Sequence, residues 1–570
     1  MTSARTQGKA VAPVSRPWLS HYDPGVPSSI RYPAHALQAF LQDGARRYPD
    51  RACTILGNAR VSYREMDGIT DRLAGQLISM GVSKGDRVGI LMPNLPQFPM
   101  AFYGILKAGG VVVATNPLYK ADELAHQIRD SGMRLMFVDR DALGLARSAR
   151  ANTDLGSLIV TCRTDGSPAQ AETAGNAGLD DHLHDNEWRL QDMLGAPGSP
   201  GWPRVDVGPE DIALFQYSGG TTGVSKAAVA THRGVVANTV QFRSWLHTLE
   251  QANEVMLMAI PLYHAYGMIA GMSLGLSLAA SLALVPNPRD LSNLLSTIQE
   301  QRPTVFPGVP SLYSAIANHP DVVSGRIQLD SIRVCISGST ALMRETKERF
   351  EALSGGNICE GYGLSEAPVV THCNPLLGAN KIGSIGMPMP DVECRIVAAD
   401  DPESDVSLGE PGELLLRGPQ VMLRYHNLPA ETANVLRRAH DGHAWLHTGD
   451  IVRMDDDGYF YIVDRKKELI KPGGNQVWPR EVEEALAAHP AVLEVGVGGV
   501  PSSGGEAVKA WIVLRPGMEV PIDELKEWCH QRLAPFKVPA LFEFRTELPK
   551  SNVGKVLRRE LIRQHREAAE

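Results

Sequence analysis

Tyr217–Lys226 reads YSGGTTGVSK and lies between an apolar run, Ile212 to Phe215, and a helix-compatible segment beginning near His232. The pattern predicts a strand, a flexible loop and a helix in succession. Gly219, Gly220 and Gly223 remove the side chains that would keep the backbone from an anion. Ser218, Thr221, Thr222 and Ser225 offer hydroxyl donors, and Lys226 supplies a cation. Such a loop grips phosphate. It is not the Walker loop, because Lys226 follows a serine and no Gly-Lys-Ser/Thr ending is present. A P-loop NTPase fold is therefore not implied. Taken alone, the stretch also suits a solvated Gly/Thr turn.

The 570 residues are 43% hydrophobic and 21% charged, enough for large cores and more than one domain. A net charge of -8, with no block of like charge, gives no general attraction to nucleic acid. Cys53, Cys162, Cys335, Cys359, Cys373, Cys394 and Cys529 are odd in number and scattered, in no CxxC or Cys/His spacing. Free thiols in a reducing compartment are expected. The stretch through Ser20 has no apolar core of signal-peptide length, so the expectation is cytoplasmic.

Between Glu254 and Arg289 there is no Asp, Glu, Lys or Arg, a run long enough for the ~20 apolar residues of a membrane span. Pro261, Tyr263, His264 and Tyr266 break its first part, and Gly and Ser dilute the rest. A buried strand, a loop and a core helix are expected there, with peripheral membrane contact left open.

Helical spacing over 34–48 and 62–80 precedes a strand-like Asp86 to Pro93, a helix over Leu95 to Ala108, and a strand at Val111 to Thr115. A helix at Ala121 to Ser131 and a strand at Arg134 to Asp139 follow. This alternation predicts an α/β fold with parallel sheets covered by helices on both faces. Residues 163–209 read as a surface excursion rich in Gly, Pro, Asp and Ala. A second alternating block runs from Asp211 to about Pro390, and a mostly β segment containing Gly412 to Arg417 comes next. After Asp464 a smaller α+β unit is expected. It has strands at Val492 to Val497, Ala510 to Leu514 and Leu541 to Arg545, and a helix at Ile522 to Leu533. The predicted domains are 1–464 and 465–570.

Further clusters follow in order: PLYHAYGM at Pro261 to Met268, EGYGLSE at Glu360 to Glu366, WLHTGD at Trp445 to Asp450, DRKKELIKPGGNQV at Asp464 to Val477, and PKSNVGKVLRRE at Pro549 to Glu560. Singly, each has a bland reading. His264 suits a satisfied core histidine, Asp450 a turn, and Lys555 beside Arg558 and Arg559 a solvated basic face. Their order, however, resembles the acyl-adenylate-forming superfamily of acyl-CoA synthetases, luciferases and adenylation domains along nearly the whole chain. RPWLSHYDPGVP, NPLYKADELAHQIRDSG and the paired glycines of YSGGTTG look like bacterial long-chain fatty acid CoA ligases.

The resemblance implies a large N-terminal region of stacked α/β subdomains with a β-barrel-like piece, plus a small mobile C-terminal lid. It implies ATP, Mg2+ and CoA, with a fatty acid as substrate; a homodimer is compatible with it. Ser218, Gly219, Gly220, Thr221, Thr222, Gly223 and Lys226 would hold the nucleotide phosphates. Ser365 and Glu366 would face the α-phosphate and Mg2+, with Thr221 also at the metal. Tyr362 and Gly363 would meet adenine, and Asp450 and Arg465 the ribose. Ser337, Gly338, Ser339 and Thr340 would form the loop beside the adenine and acyl pockets, where the family more often has Gly and Ala. His264 would gate the acyl site, and Tyr266 and Gly267 would begin its wall, the small residue leaving room for a chain. Lys555 would bridge carboxylate and α-phosphate, Lys467 would be the hinge, and Lys471, Gly473 and Gly474 would lie near CoA. Arg424 replaces a usual glycine, placing an extra cation where a CoA or nucleotide contact could change.

Competing readings are a catalytically silent acyl-binding scaffold, an acyl-AMP ligase serving a carrier protein, and a luciferase-like oxygenase. The phosphate loop, Glu366, Asp450 and Lys555 are all present, which argues against the first.

Overall fold

The computed structural model describes residues 16–163, 165, 183–195, 205–218, 225–439, 442–472, 475, 477–502, 505–550 and 556–569. They divide into two compact units. One holds Asp23–Val392 with Gly418–Thr432. The other holds 16–22, Glu393–Arg417 and the chain from Ala433 onward.

The first unit is built on two mixed sheets. In one, the order is Arg424–Tyr425, Lys226–Thr231, Ile212–Ser218, Val111–Thr115, Arg87–Leu91, Leu135–Asp139, Ser157–Thr161, Glu187–Arg189. From Ile212–Ser218 onward every pairing is parallel. Val111–Thr115 and Leu135–Asp139 are buried along their whole length, as expected of parallel strands covered on both faces. The other sheet runs Met387–Pro388, Ala367–Cys373, Asn357–Leu364, Val334–Ser337, Val305–Gly308, Val255–Met258, Ser281–Leu284, Ala52–Leu56, Ala59–Ser62.

Local chemistry accounts for the helices between them. Ser62 caps Tyr63–Ser79 through a capping box: its hydroxyl accepts from Glu65 N at 3.2 Å, and its amide donates to Glu65 Oε2 at 2.7 Å. Met66, Ile69, Leu73 and Leu77 then recur at helical spacing and are buried.

One expectation fails at the opening stretch. Strand, loop and helix do not simply follow one another, because Lys226 begins a further strand, Lys226–Thr231, antiparallel to Ile212–Ser218 with Ser218 opposite Lys226. The predicted helix comes after it, at His232–Trp245, capped by Thr231 Oγ1, which accepts from Gly234 N. KAAVAT has weak intrinsic β preference, and the strand exists because Ala227 and Val229 pack into the core beneath Phe215 and Tyr217.

The uncharged run contains strand Val255–Met258, a π-helix at Tyr266–Ser273, a short helix Leu274–Ser277 and an additional strand, Ser281–Leu284. Among the described residues no helix is long and apolar enough to cross a membrane. Within the surface excursion, Glu187–Arg189 adds a parallel strand and Leu190–Gly195 a short helix.

In the second unit, an antiparallel sheet joins Glu393–Val397, Gly412–Arg417, Ala444–Met454 and Leu436–Arg438, with Phe460–Arg465 paired to Ala444–Met454. The chain beyond it forms a hairpin of Val492–Ser502 and Gly505–Leu514, and Leu541–Phe544 lies parallel to the latter. Helices Pro479–Ala487 and Ile522–His530 cover it through Val482, Leu486, Leu525 and Cys529.

Candidate active site

Ser365 and Glu366 form the two-residue turn of a hairpin, since Leu364 pairs with Ala367 across it. Gly363 precedes them because the Val369 carbonyl passes so close that a Cβ would stand 1.2 Å from its oxygen. That glycine serves the backbone of the hairpin. Glu366 is tied down twice: Met422 N donates to its main-chain oxygen at 2.7 Å, and the Tyr425 hydroxyl donates to Oε1 at 2.6 Å.

Tyr425 lies on the edge strand Arg424–Tyr425, where it stands opposite Ala228 and Arg424 opposite Val229. Lys226 shares a face with Ala228, and its ammonium sits 5.7 Å from the centre of the Tyr425 ring. Lys226 Nζ also donates to Glu431 Oε2 at 2.6 Å. Alternation along the strand puts Arg424 on the face opposite Tyr425, together with His426, whose ring packs on Phe215 at 4.5 Å. The extra cation therefore lies away from Glu366, and as an exposed charge on an edge strand it opposes edge-to-edge pairing.

Tyr266 and the Ser337–Gly338 segment come together. The Tyr266 hydroxyl donates to Ile336 O at 2.7 Å and Gly308 O at 3.1 Å, and its ring would lie 3.5 Å from a Cβ on Gly338. Gly267 has a backbone reason of its own, since a Cβ there would meet Pro261 O at 2.3 Å. His264 Nδ1 accepts from Tyr266 N, and desolvation lowers its pKa, so it is neutral at pH 7. Tyr362 packs edge-on to His372 at 5.8 Å.

Ser339 adopts φ +75°, in the left-handed region. Glycine, with no Cβ, adopts this conformation without strain. Ser339→Gly is expected to leave stability unchanged or raise it by less than ~1 kcal/mol, whereas Ser339→Val should lose ~1–2 kcal/mol. Chemical denaturation of the two variants checks this, and equal stability of both would refute the strain argument.

In the second unit, Asp450 and Arg465 stand directly opposite each other on antiparallel strands, and Arg465 Nε donates to Asp450 Oδ1 at 2.9 Å. Asp450 is 3% exposed, and the Arg465 contact holds its carboxylate in one place. Beside it, Glu413 accepts from Lys466 Nζ at 2.7 Å and from Gly449 N. Burial alone would raise the Glu413 pKa, but the His447 and Lys466 contacts outweigh it and hold it down to about 2. Lys467 is exposed on the 3-10 turn Lys466–Glu468, and Lys471 N donates to Glu506 Oε2 at 2.8 Å.

Sequence reasoning missed Arg558. Its guanidinium is half-buried among three carboxylates: Nε donates to Glu483 at 2.8 Å, and Nη1 donates to Asp464 at 2.8 Å and also to Glu468. Burial works against its charge, but Glu483, Asp464 and Glu468 together raise its pKa well above the ordinary value. The only signal in the sequence was the basic run following Lys555. Gly219, Gly220, Thr221, Thr222, Gly223, Gly473, Gly474 and Lys555 lie outside the described residues, as does the side chain of Ser218.

Residues 41–426 match the model of the AMP-binding enzyme family, and 481–555 that of the AMP-binding enzyme C-terminal domain. The chain belongs to the AMP-binding enzyme family. A long-chain-fatty-acid–CoA ligase of Bacillus subtilis is 39% identical to this AMP-binding enzyme, over 97% of the chain and 98% of the relative. One from Escherichia coli O157:H7 is 36% identical, over 95% and 97%. Among solved structures, the anthranilate CoA ligase AuaEII in complex with anthranoyl-AMP matches with a TM-score of 0.81 at 27% identity, covering 94% of this chain and 98% of that one.

In this AMP-binding enzyme the donors at the Glu366 turn, a carboxylate and the Ser365 hydroxyl, are oxygens and fit a hard cation such as Mg2+. Among the described residues no three His, Cys, Asp or Glu side chains converge to hold a metal. A Mg2+ at this turn would therefore rest on Glu366 and on the oxygens of the nucleotide it accompanies.

Proposed function

We propose that the chain is an AMP-forming fatty acid–CoA ligase acting on medium to long aliphatic acids. The observation that carries this reading is the near full-length likeness to long-chain-fatty-acid–CoA ligases. The wall on which Lys226 and Glu366 stand within reach of one side chain supports it.

A carboxylate is a poor acyl donor because it would have to expel oxide. Its oxygen instead attacks the α-phosphorus of ATP, pyrophosphate leaves, and an acyl-adenylate remains. The CoA thiol then attacks the acyl carbon and AMP departs. The first step gathers negative charge on phosphoryl oxygens and the second on a tetrahedral oxyanion, so positioned cations and donors supply the acceleration. Lys226 and the glycine-rich loop hold the triphosphate, Glu366 orients the metal, and Asp450 with Arg465 holds the ribose. Mg2+ bound there neutralises phosphoryl charge. His264, neutral, borders the acyl site, and the chain beyond Asp464 turns about Lys467 to present Lys555 first and the Gly474 face second.

Efficiency should rise about fourfold per added methylene until the pocket ends, since each buried CH2 is worth ~0.8 kcal/mol. Incubation with ATP, Mg2+, CoA and a graded series of acids, following AMP and pyrophosphate, tests this. A flat or falling kcat/KM from acetate to dodecanoate would sink the substrate assignment. A carrier protein replacing CoA as the better acceptor would instead favour the acyl-AMP ligase reading. All seven cysteines are free, which suits a reducing cytoplasm. Peripheral contact at the inner membrane face and a homodimer complete the proposal, to be tested by vesicle co-sedimentation and by light scattering.

A further inference from the structure

We propose that Tyr425 is a positioning residue for acyl-adenylate formation, a single side chain that sets both Glu366 and Lys226. The inference rests on the roles given to those two residues above.

Glu366 sits on a two-residue turn and is half-buried, a place where a carboxylate would otherwise sample several rotamers. The segment Met422–Tyr425 removes that freedom by holding its main-chain oxygen through Met422 N and its Oε1 through the Tyr425 hydroxyl. A phenol at neutral pH keeps its proton and a carboxylate carries none, so across this 2.6 Å contact the Tyr425 hydroxyl is the donor and Glu366 the acceptor. A carboxylate has about four lone-pair sites, so this one bond leaves oxygen capacity for a cation.

The position of Tyr425 is itself fixed from both sides. Leu423 N donates to Val229 O at 2.8 Å and His426 N to Ala227 O at 2.9 Å, and Tyr425 N donates to Thr432 Oγ1 at 3.0 Å. These bonds register the ring diagonally to Lys226, whose ammonium is confined between the ring and Glu431. The anionic Glu366 and the cationic Lys226 are thereby held on one wall by one aromatic side chain, 7% exposed. Partners that orient a metal-binding carboxylate typically change metal affinity by ~10–100-fold when removed.

The test is Tyr425→Phe, which deletes the hydroxyl and keeps the ring and every backbone bond. ATP binding is measured by calorimetry with and without Mg2+, in the absence of fatty acid. The expected result is a loss of about tenfold in ATP affinity with Mg2+ present and less than about twofold without it. The Mg2+ concentration for half-maximal adenylation should rise correspondingly, and excess Mg2+ should restore most of kcat. Equal losses with and without Mg2+, or none, would overturn the inference. So would a drop of more than a few degrees in Tm, because the hydroxyl would then be serving the fold. In a Glu366→Gln background the added Tyr425→Phe change should no longer alter the Mg2+ response. If Glu366→Gln alone leaves that response intact, the failure lies in the role given to Glu366 and not in its link to Tyr425.

Discussion

Lys555→Ala is expected to slow acyl-adenylate formation by about two orders of magnitude while leaving thioester formation from a supplied acyl-adenylate within a few fold. A cation aimed at charge that develops only in the first transition state lowers that barrier and not the second. Losing such a contact typically costs ~3 kcal/mol, about a hundredfold in rate. Single-turnover measurement of pyrophosphate release, alongside acyl-CoA formation from synthetic adenylate, separates the two. Equal losses in both half-reactions would refute the assignment of Lys555 and leave it a surface lysine of the basic run.

Arg558→Ala should destabilise its unit by ~2–3 kcal/mol, below the ~3–5 kcal/mol of a fully buried pair because only Asp464 among its partners is buried. The cost arises because Asp464, Glu468 and Glu483 would face one another without the guanidinium that joins them. Their side chains are 2%, 23% and 17% exposed, so water screens Asp464 least. Arg558→Lys keeps the charge but cannot fork to Glu483 at Nε and to Asp464 at Nη1 together, so it should recover only part of the loss. In a double-mutant cycle, Glu483→Gln should cost less in the Arg558→Ala background than alone, because the repulsion it relieves exists only there. Denaturant melts of the four proteins provide the check. A loss under ~1 kcal/mol for Arg558→Ala would mean that the cluster is solvated and contributes little.

The position of Arg558 also bears on the step between the half-reactions. It joins Asp464, on the strand that ends beside Lys467, to Glu468 and Glu483 beyond it, and Asp464 accepts in addition from Arg480 N at 2.6 Å. Any turn about Lys467 must break bonds of this set, so Arg558→Lys should change the relative rates of the two half-reactions as well as stability.

The sequence by itself determined a good deal, because its strongest signals are local. Apolar residues at helical spacing over 62–80 mark a helix in a short window, and an apolar run such as Val111–Ala114 marks a buried strand. The elements of the chain beyond Asp464 were legible in the same way, and so was the family, carried by the order of short motifs. Asp450 and Arg465, each picked out by its own motif, prove to be cross-strand neighbours.

Only the tertiary structure decided the rest, because it depends on partners distant in the chain. Lys226–Thr231 is a strand since Ile212–Ser218 and Arg424–Tyr425 flank it, and its alanines carry no such message. Glu366 finds Tyr425 across 59 residues, Arg558 finds Asp464 across 94, and Lys226 finds Glu431 across 205. No periodicity or spacing rule spans such separations. Gly363 and Gly267 read from sequence as site residues, yet each is glycine at least because a carbonyl, of Val369 or Pro261, occupies the space a Cβ would need. Arg424 looked like a cation near the site, and the two-residue period of a strand, once its pairing with Val229 is known, turns it to the other face.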